Sequence, residues 1–469
     1  MKQKIMGLFL GITIMLAGCG EQSEQIVESI DYTPQDVSWE IAYEVPTSSA
    51  NVLVDREGYA TDKAKIVCFK GENLGKTFQI VNADTEETVY TGEIEEKTLD
   101  EESGEYVSKG DFTDFVLPGT YYIETDIIGR SYDFQIKEDI YTDILNNIFG
   151  RSLFSYIDTL QMVNYEHSDI TLEEYQQLTN RKDVFEECMA LNAQGLALQY
   201  YPLCYEEFDQ DHFVIQEIYN EAEWLMLMQN KDGSVHAGLY QPQGNVPALI
   251  APVSREATAA FCGSMAMTAK MFENVDKDNA LRYRQAAKSA WKYIKQSAED
   301  SASFQADAWM LWLTGEKQYL TNATQYLKKQ IPTLKEDRLA LYGALAYVSS
   351  EAKTDVDICA SLMKQIMEIS EETVDTVRRS SYQIYSTDMQ LCYDRMLIVC
   401  IANYAVPSVE YVEVMEDHLH YLLGRNRNGY RYIAEDGSLM ATTDTLGKTR
   451  EWDGIVRLML SSIWGTSVE

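Results

Sequence analysis

After Asp139 the chain has almost no strand-like rhythm and breaks into about a dozen helical segments. They fall at 139–164, 183–206, 211–230, 254–274, 277–298, 302–314, 316–329, 336–350, 354–371, 388–404, 407–423 and 450–464. Their number constrains the fold more than any other feature, because each helix must bury an apolar stripe against another. Twelve helices are what six helical hairpins need. A solenoid would show a fixed repeat, and no period recurs along the sequence. The clearest helix carries Ala280, Tyr283, Ala287, Ala290, Trp291 and Ile294 at three- and four-residue spacing, so the charges face away from one apolar stripe. The segment before it starts at Ser254, a good N-cap, with Glu256 in its first turn.

Between Asn51 and Ile136 the rhythm is different. NVLVDREGYA, KAKIVCF, KTFQIVNA, ETVYTGEI, FTDFVLPGTYYIET and SYDFQI are short, β-branched and aromatic, with turns at Asp84, Gly104, Pro118-Gly119 and Gly129. Six or seven short strands in one such stretch predict an immunoglobulin-type β-sandwich. The expected architecture is mainly α with a β domain: a sandwich over 50–138, then a helical ring over 139–469.

The N-terminus predicts export. Lys2 and Lys4 precede a short apolar run from Ile5 to Leu16, too short to span a bilayer permanently. It ends in Leu16-Ala17-Gly18-Cys19, which resembles a bacterial lipobox. The expectation is a signal peptide over 1–18, lipidation at Cys19, an acidic tether over 19–49 and display on the outer face of the cell membrane. A net charge of −35 argues against nucleic-acid partners, because phosphates would be repelled. The seven other cysteines are odd in number, lack a C-x-x-C pair and lie mostly in apolar stretches, so they read as buried thiols.

The wording of several segments carries more than periodicity. EAEWLMLMQNKDGSV, PVSREATAAF and AAKSAW, in that order, resemble the catalytic domain of glycoside hydrolase family 9. QADAWMLWLTGEKQYL and HYLLGRNRNGYRYI extend the likeness. VDREGY, VYTGE, DFTDFVLPGTYYIE and SYDFQI look like the immunoglobulin-like domain that precedes many such catalytic domains. The resemblance covers about 50–469. It implies an (α/α)6 barrel and an inverting β-1,4-glucan hydrolase of cellulase type, acting on polysaccharide or oligosaccharide as a monomer. The chemistry requires no cofactor. Some family members bind structural calcium, and no EF-hand-type loop here places a site.

Inversion needs one carboxylic acid to protonate the leaving oxygen and a carboxylate opposite it to activate water. The family places its base in a DAGDYGKY segment. Aligned without gaps, Asp183 and Glu186 of NRKDVFEECMALNAQG fall on its two aspartates, and their spacing lets both face one side of a helix start. The surrounding motif is gone, with Val184-Phe185 replacing Ala-Gly. The family's general acid, a Glu at the start of the last helix, matches Glu451 of TREWDGIVRLML, with Asp453 as a nearby substitute and burial beside Trp452 expected. His236 after the DGSV turn, and Tyr240 and Tyr430 on loops, are the expected sugar contacts. The family's His/Arg-rich loop is replaced by AEDGSLMATTDTLGKTR, and Arg425, Arg427, Arg431 and Arg450 stand in no matching motif. That loss and the eroded DAGD segment leave an alternative, a surface lipoprotein of the same fold that binds oligosaccharide without cutting it.

Overall fold

The computed structural model describes residues 51–469 except 143, 145–164, 168–170, 179–180, 201–212, 241–247, 296–299, 435–438, 440–448 and 468–469. The signal peptide, Cys19, the tether and most of the helix expected at 139–164 lie outside the described residues.

Ten short strands fall between Val52 and Ile136. Strands β1 (Val52–Leu53), β3 (Ile66–Lys70), β7 (Glu105–Asp111) and β6 (Thr98–Asp100) form one sheet in that order. The other runs β2 (Gly58–Tyr59), β10 (Phe134–Ile136), β8 (Gly119–Thr125), β4 (Thr77–Asn82) and β5 (Thr88–Glu93), with β9 (Gly129–Arg130) on β8. Pairing is antiparallel except between β10 and β2. Alternate side chains fill the sandwich: Val67 and Phe69 from β3, Phe78 and Ile80 from β4, Tyr121 and Ile123 from β8.

The first sheet is buried on both faces. Leu53, Cys68 and Val107 point away from the sandwich interior and join the apolar core of the helical domain. Each buried aliphatic side chain of this kind contributes about 1.5–3 kcal/mol. Polar contacts stitch the rest of the seam. Asp55 Oδ2 lies 2.7 Å from His420 Nδ1, Lys70 Nζ donates to the Arg427 carbonyl at 2.7 Å, and Lys109 Nζ donates to the Ser380 carbonyl at 2.8 Å.

The helical domain opens with a short helix α1 (Leu172–Gln176), held by a capping box between Thr171 and Glu174. Eleven longer helices follow among the described residues: α2 (Val184–Tyr200), α3 (Phe213–Leu227), α4 (Arg255–Phe272), α5 (Lys277–Ile294), α6 (Ser301–Thr314), α7 (Lys317–Lys329), α8 (Arg338–Val348), α9 (Val356–Arg379), α10 (Met389–Ala405), α11 (Val409–Leu422) and α12 (Thr449–Ser467). Burial alternates along this list. Even-numbered helices are buried nearly all round, whereas α5, α7 and α9 bury one stripe, such as Tyr319, Ala323 and Leu327 of α7. Small residues let the inner helices approach closely. A Cβ on Gly263 of α4 would fall 2.3 Å from Gln305 and 2.7 Å from Trp309 of α6. An inner ring with helices outside it is the (α/α)6 barrel.

Two expectations are corrected here. Helix α9 continues to Arg379 rather than ending near 371, because Thr373, Val374 and Val377 carry its buried stripe two more turns. The stretch after Asp139, read as almost without strands, also holds a sheet of order β11 (Tyr165–His167), β14 (Ala248–Ile250), β13 (Gly238–Tyr240) and β12 (Arg181–Asp183). Three-residue strands are too short to show a period of two. Gly238 permits this sheet to close, since a Cβ there would meet the Tyr175 hydroxyl at 2.1 Å.

Candidate active site

Strand β12 runs directly into α2, so Asp183 stands at a strand–helix junction. Its Oδ1 accepts from the backbone N–H groups of Phe185 at 3.0 Å and Glu186 at 3.4 Å. The same arrangement recurs at other inner helices. Ser254 caps α4 through Ala257 N–H, Asp300 caps α6 through Ser303 N–H, and Asp337 caps α8 through Ala340 N–H. Helix N-termini stabilise anions, and capping therefore gathers carboxylates at one mouth of the ring. A cleft of about 560 Å³ opens there, lined by Phe185, Arg255, Glu256, Asp300, Asp337 and Arg338 among others.

Arg338, at the first position of α8, joins the two expected halves of the machinery. Its guanidinium contacts Glu451 of α12 directly and lies 3.9 Å from Glu186 Oε1 of α2, with Phe185 at 5.4 Å beneath it. Burial pulls its pKa down, but the charges of Glu451 and Glu186 outweigh burial and hold it above the usual value. Glu451 is fully buried, and its Oε1 has no hydrogen-bond partner. Burial pushes the Asp183 carboxyl up, and the neighbouring Glu186 charge adds to the rise. Glu256 is also raised, by burial and then by Asp183. Arg255 is committed to structure: it pairs with both Asp300 oxygens at 2.9 and 2.8 Å and donates to the Ile294 carbonyl at 2.8 Å.

Glu186 and Glu451, remote from each other in sequence, thus meet at Arg338, which lines the cleft, and Asp183 stands beside Glu186. The Trp452 ring stacks on Tyr393 with centroids 4.9 Å apart. Asp453 faces that side too, where its charge acts on Tyr393. The expected sugar contacts fare differently. His236 is only 9 % exposed, and both ring nitrogens are engaged. Nδ1 donates to the Ala251 carbonyl at 2.6 Å and Nε2 accepts from Asn230 at 3.1 Å, so the ring ties the DGSV turn to its neighbour. Tyr240 sits on strand β13 rather than a loop and packs on the small cluster of Tyr175, Ala237 and Ala251. Tyr430 is exposed, but its segment belongs to the seam. Gly429 neighbours Leu53 and Tyr132, Arg427 pairs with Glu105, and Arg431 pairs with Glu57. Arg425 pairs with Asp417 beside Cys68. Arg427 and Arg431, which matched no sugar-binding motif, serve domain docking.

Arg338, Glu256 and Phe185 were not anticipated as site residues. Asp337 before the apolar run RLALYGALAYV was the available signal, because an acidic N-cap on an inner helix also opens α2 and α6.

A model of the cellulase N-terminal immunoglobulin-like domain matches residues 47–130, and the model of glycosyl hydrolase family 9 matches residues 180–442. The chain belongs to glycosyl hydrolase family 9. Asp183, Glu186 and Arg338 lie within the matched span, and Glu451 lies beyond it. Endoglucanase D of Acetivibrio thermocellus is 24% identical, over 76% of this chain and 68% of its own length. In three dimensions the chain is similar to a metagenome-derived family 9 endoglucanase (TM-score 0.74, 18% identity, covering 89% of this chain and 99% of that one). A family 9 protein of Bacteroides ovatus superposes with a TM-score of 0.71 at 14% identity, over 89% of this chain and 99% of that one. Family membership makes the chain a glycosyl hydrolase by descent, and the likeness to these structures confirms the fold. No helix among the described residues is long and apolar enough to cross a membrane, and they hold no cluster of three or more His, Cys, Asp or Glu arranged for a metal ion.

Proposed function

We propose that this family 9 protein hydrolyses a β-1,4-linked glucan with inversion, from a lipid anchor on the outside of the cell. The observation that carries the reading is convergence: Glu186 at the start of α2, with Asp183 beside it, and Glu451 at the start of α12 reach the same Arg338 guanidinium at the mouth of the barrel. In this reading Asp183, fixed by two backbone N–H groups, deprotonates the water with Glu186 beside it, and Glu451 serves the leaving oxygen. Glucan as substrate rests on the likeness to Endoglucanase D. The reaction as written involves no cofactor.

The test is hydrolysis of carboxymethylcellulose, mixed-linkage β-glucan and cello-oligosaccharides, with NMR of the first-formed anomer. Asp183→Asn and Glu451→Gln should each reduce kcat by about 10²–10⁴-fold. Undiminished turnover by either variant removes that residue from its role. Release of the β-anomer first would exclude inversion. The complete burial of Glu451 in its contact with Arg338 favours one second reading, a cleft that binds oligosaccharide without cleaving it. Binding without turnover on every glycan would establish that reading instead. The anchor rests on the lipobox at Cys19; Cys19→Ser should move the protein from the membrane fraction to the medium, and unchanged membrane retention would discard lipidation.

A further inference from the structure

Arg338 bridges carboxylates from two neighbouring inner helices, and we infer that it is a positioning residue for the reaction: it sets the separation and facing of Glu186 and Glu451. This inference rests on the hydrolytic reading above.

The geometry behind it is specific to a guanidinium. Glu451 has no other hydrogen-bond partner: one carboxylate oxygen contacts Arg338 and the second is buried without one. Its side chain is fully enclosed while Arg338 keeps 22% of its own side-chain surface at the cleft. The buried carboxylate thus takes its orientation from a residue that touches the open space. The second arm of the same fork extends to Glu186 on α2, which packs against α12, at 3.9 Å, and the Phe185 ring supports the plane from below. Other groups around the fork are mostly acidic. The charges of Asp394 from α10 and Asp337 from α8 bear on this site, with Asp183 from β12 and Glu256 from α4 beside it. Tyr342, one turn along α8 from Arg338, contributes a buried hydroxyl without a partner. Without a cation at this point, the six carboxylates Glu186, Glu451, Asp394, Asp337, Asp183 and Glu256 would repel one another. A planar fork also fixes two carboxylates in one geometry, whereas an ammonium is a single point charge on a flexible stem. Charge alone would be met by lysine; holding two carboxylates in one geometry would not. A displacement near 1 Å in such a site costs about 10²-fold in rate.

The experiment compares wild-type protein with Arg338→Lys and Arg338→Met on the most rapidly cleaved glucan, reading kcat, KM and the thermal midpoint. Arg338→Lys should keep a midpoint near wild type and a KM within about twofold, while kcat falls about 10²-fold. Arg338→Met should lose the same kcat and also stability, since it leaves buried Glu451 unpaired. Should Arg338→Met fail to fold, Arg338→Lys decides alone. Wild-type kcat in Arg338→Lys would reduce Arg338 to a counter-charge and overturn the inference, while leaving hydrolysis intact. An unchanged kcat with a raised KM would also overturn it, because Arg338 would then hold substrate rather than catalyst. Absence of turnover in the wild type defeats the hydrolytic reading and this inference together, a result distinct from the other two.

Discussion

At the residue scale, the chain spends buried polar groups unevenly, and histidine shows it best. His236 and His420 are both enclosed, yet each has a partner: the Ala251 carbonyl and Asn230 for the first, Asp55 for the second. His418 has none. Both its ring nitrogens lack a hydrogen bond, its ring meets Tyr393 edge-on at 5.3 Å, and burial lowers its pKa to about 3. An unfolded histidine titrates at 6.5. Between those values the unfolded chain binds a proton that the folded chain refuses, so acidification favours unfolding. His418 should therefore destabilise the protein by up to about 1.4 kcal/mol per pH unit as pH falls from 6.5 towards 3. Denaturant titrations of wild type and His418→Phe across that range check this. The difference between them should shift progressively in favour of the variant, and parallel pH curves would show that His418 does not titrate between the two states.

At the scale of elements, legibility followed length. Helix α5 shows its apolar stripe in the sequence and buries Ala280, Tyr283, Ala287, Ala290 and Ile294. Trp291, placed on the same stripe, is half-buried and turns its Nε1 to Asp307 at 2.7 Å. Inner helices were recognised by composition more than by phase. A helix buried all round, such as α6, has no polar face to mark its orientation. The four-stranded sheet was invisible because its strands have three residues each, and pairing with distant partners decides such segments. The sheet matters to the site: β12, paired with β13, delivers Asp183 to the start of α2. Likeness to the family pointed to Asp183 and Glu186, and this junction sets both at the start of α2.

For the whole molecule, the seam between sandwich and barrel is built like an interior. Leu53, Cys68 and Val107 are at most 1 % exposed within the helical core, and the Asp55–His420 pair is buried between them. Removing one partner of a buried, hydrogen-bonded pair costs about 3–5 kcal/mol. Asp55 also accepts from the N–H groups of Glu57 and Gly58, so Asp55→Ala loosens a turn as well as the seam. The two domains should unfold in one calorimetric transition, and Asp55→Ala should lower that transition as a whole. Two separated transitions in the wild type would show that each domain is stable without the other.

The sequence alone determined the order of a β-sandwich before a helical ring, because strand rhythm and helical stripes are local, and the wording of its segments pointed to the family and, through it, to acids at the starts of α2 and α12. Only the tertiary structure decided that those acids share one arginine, that the LGRNRNG segment docks the sandwich instead of lining the cleft, and that His236 is a strut. Those outcomes depend on which surfaces meet after folding: Glu186, Arg338 and Glu451 come from three helices far apart along the chain, and packing of the ring sets the distances between them.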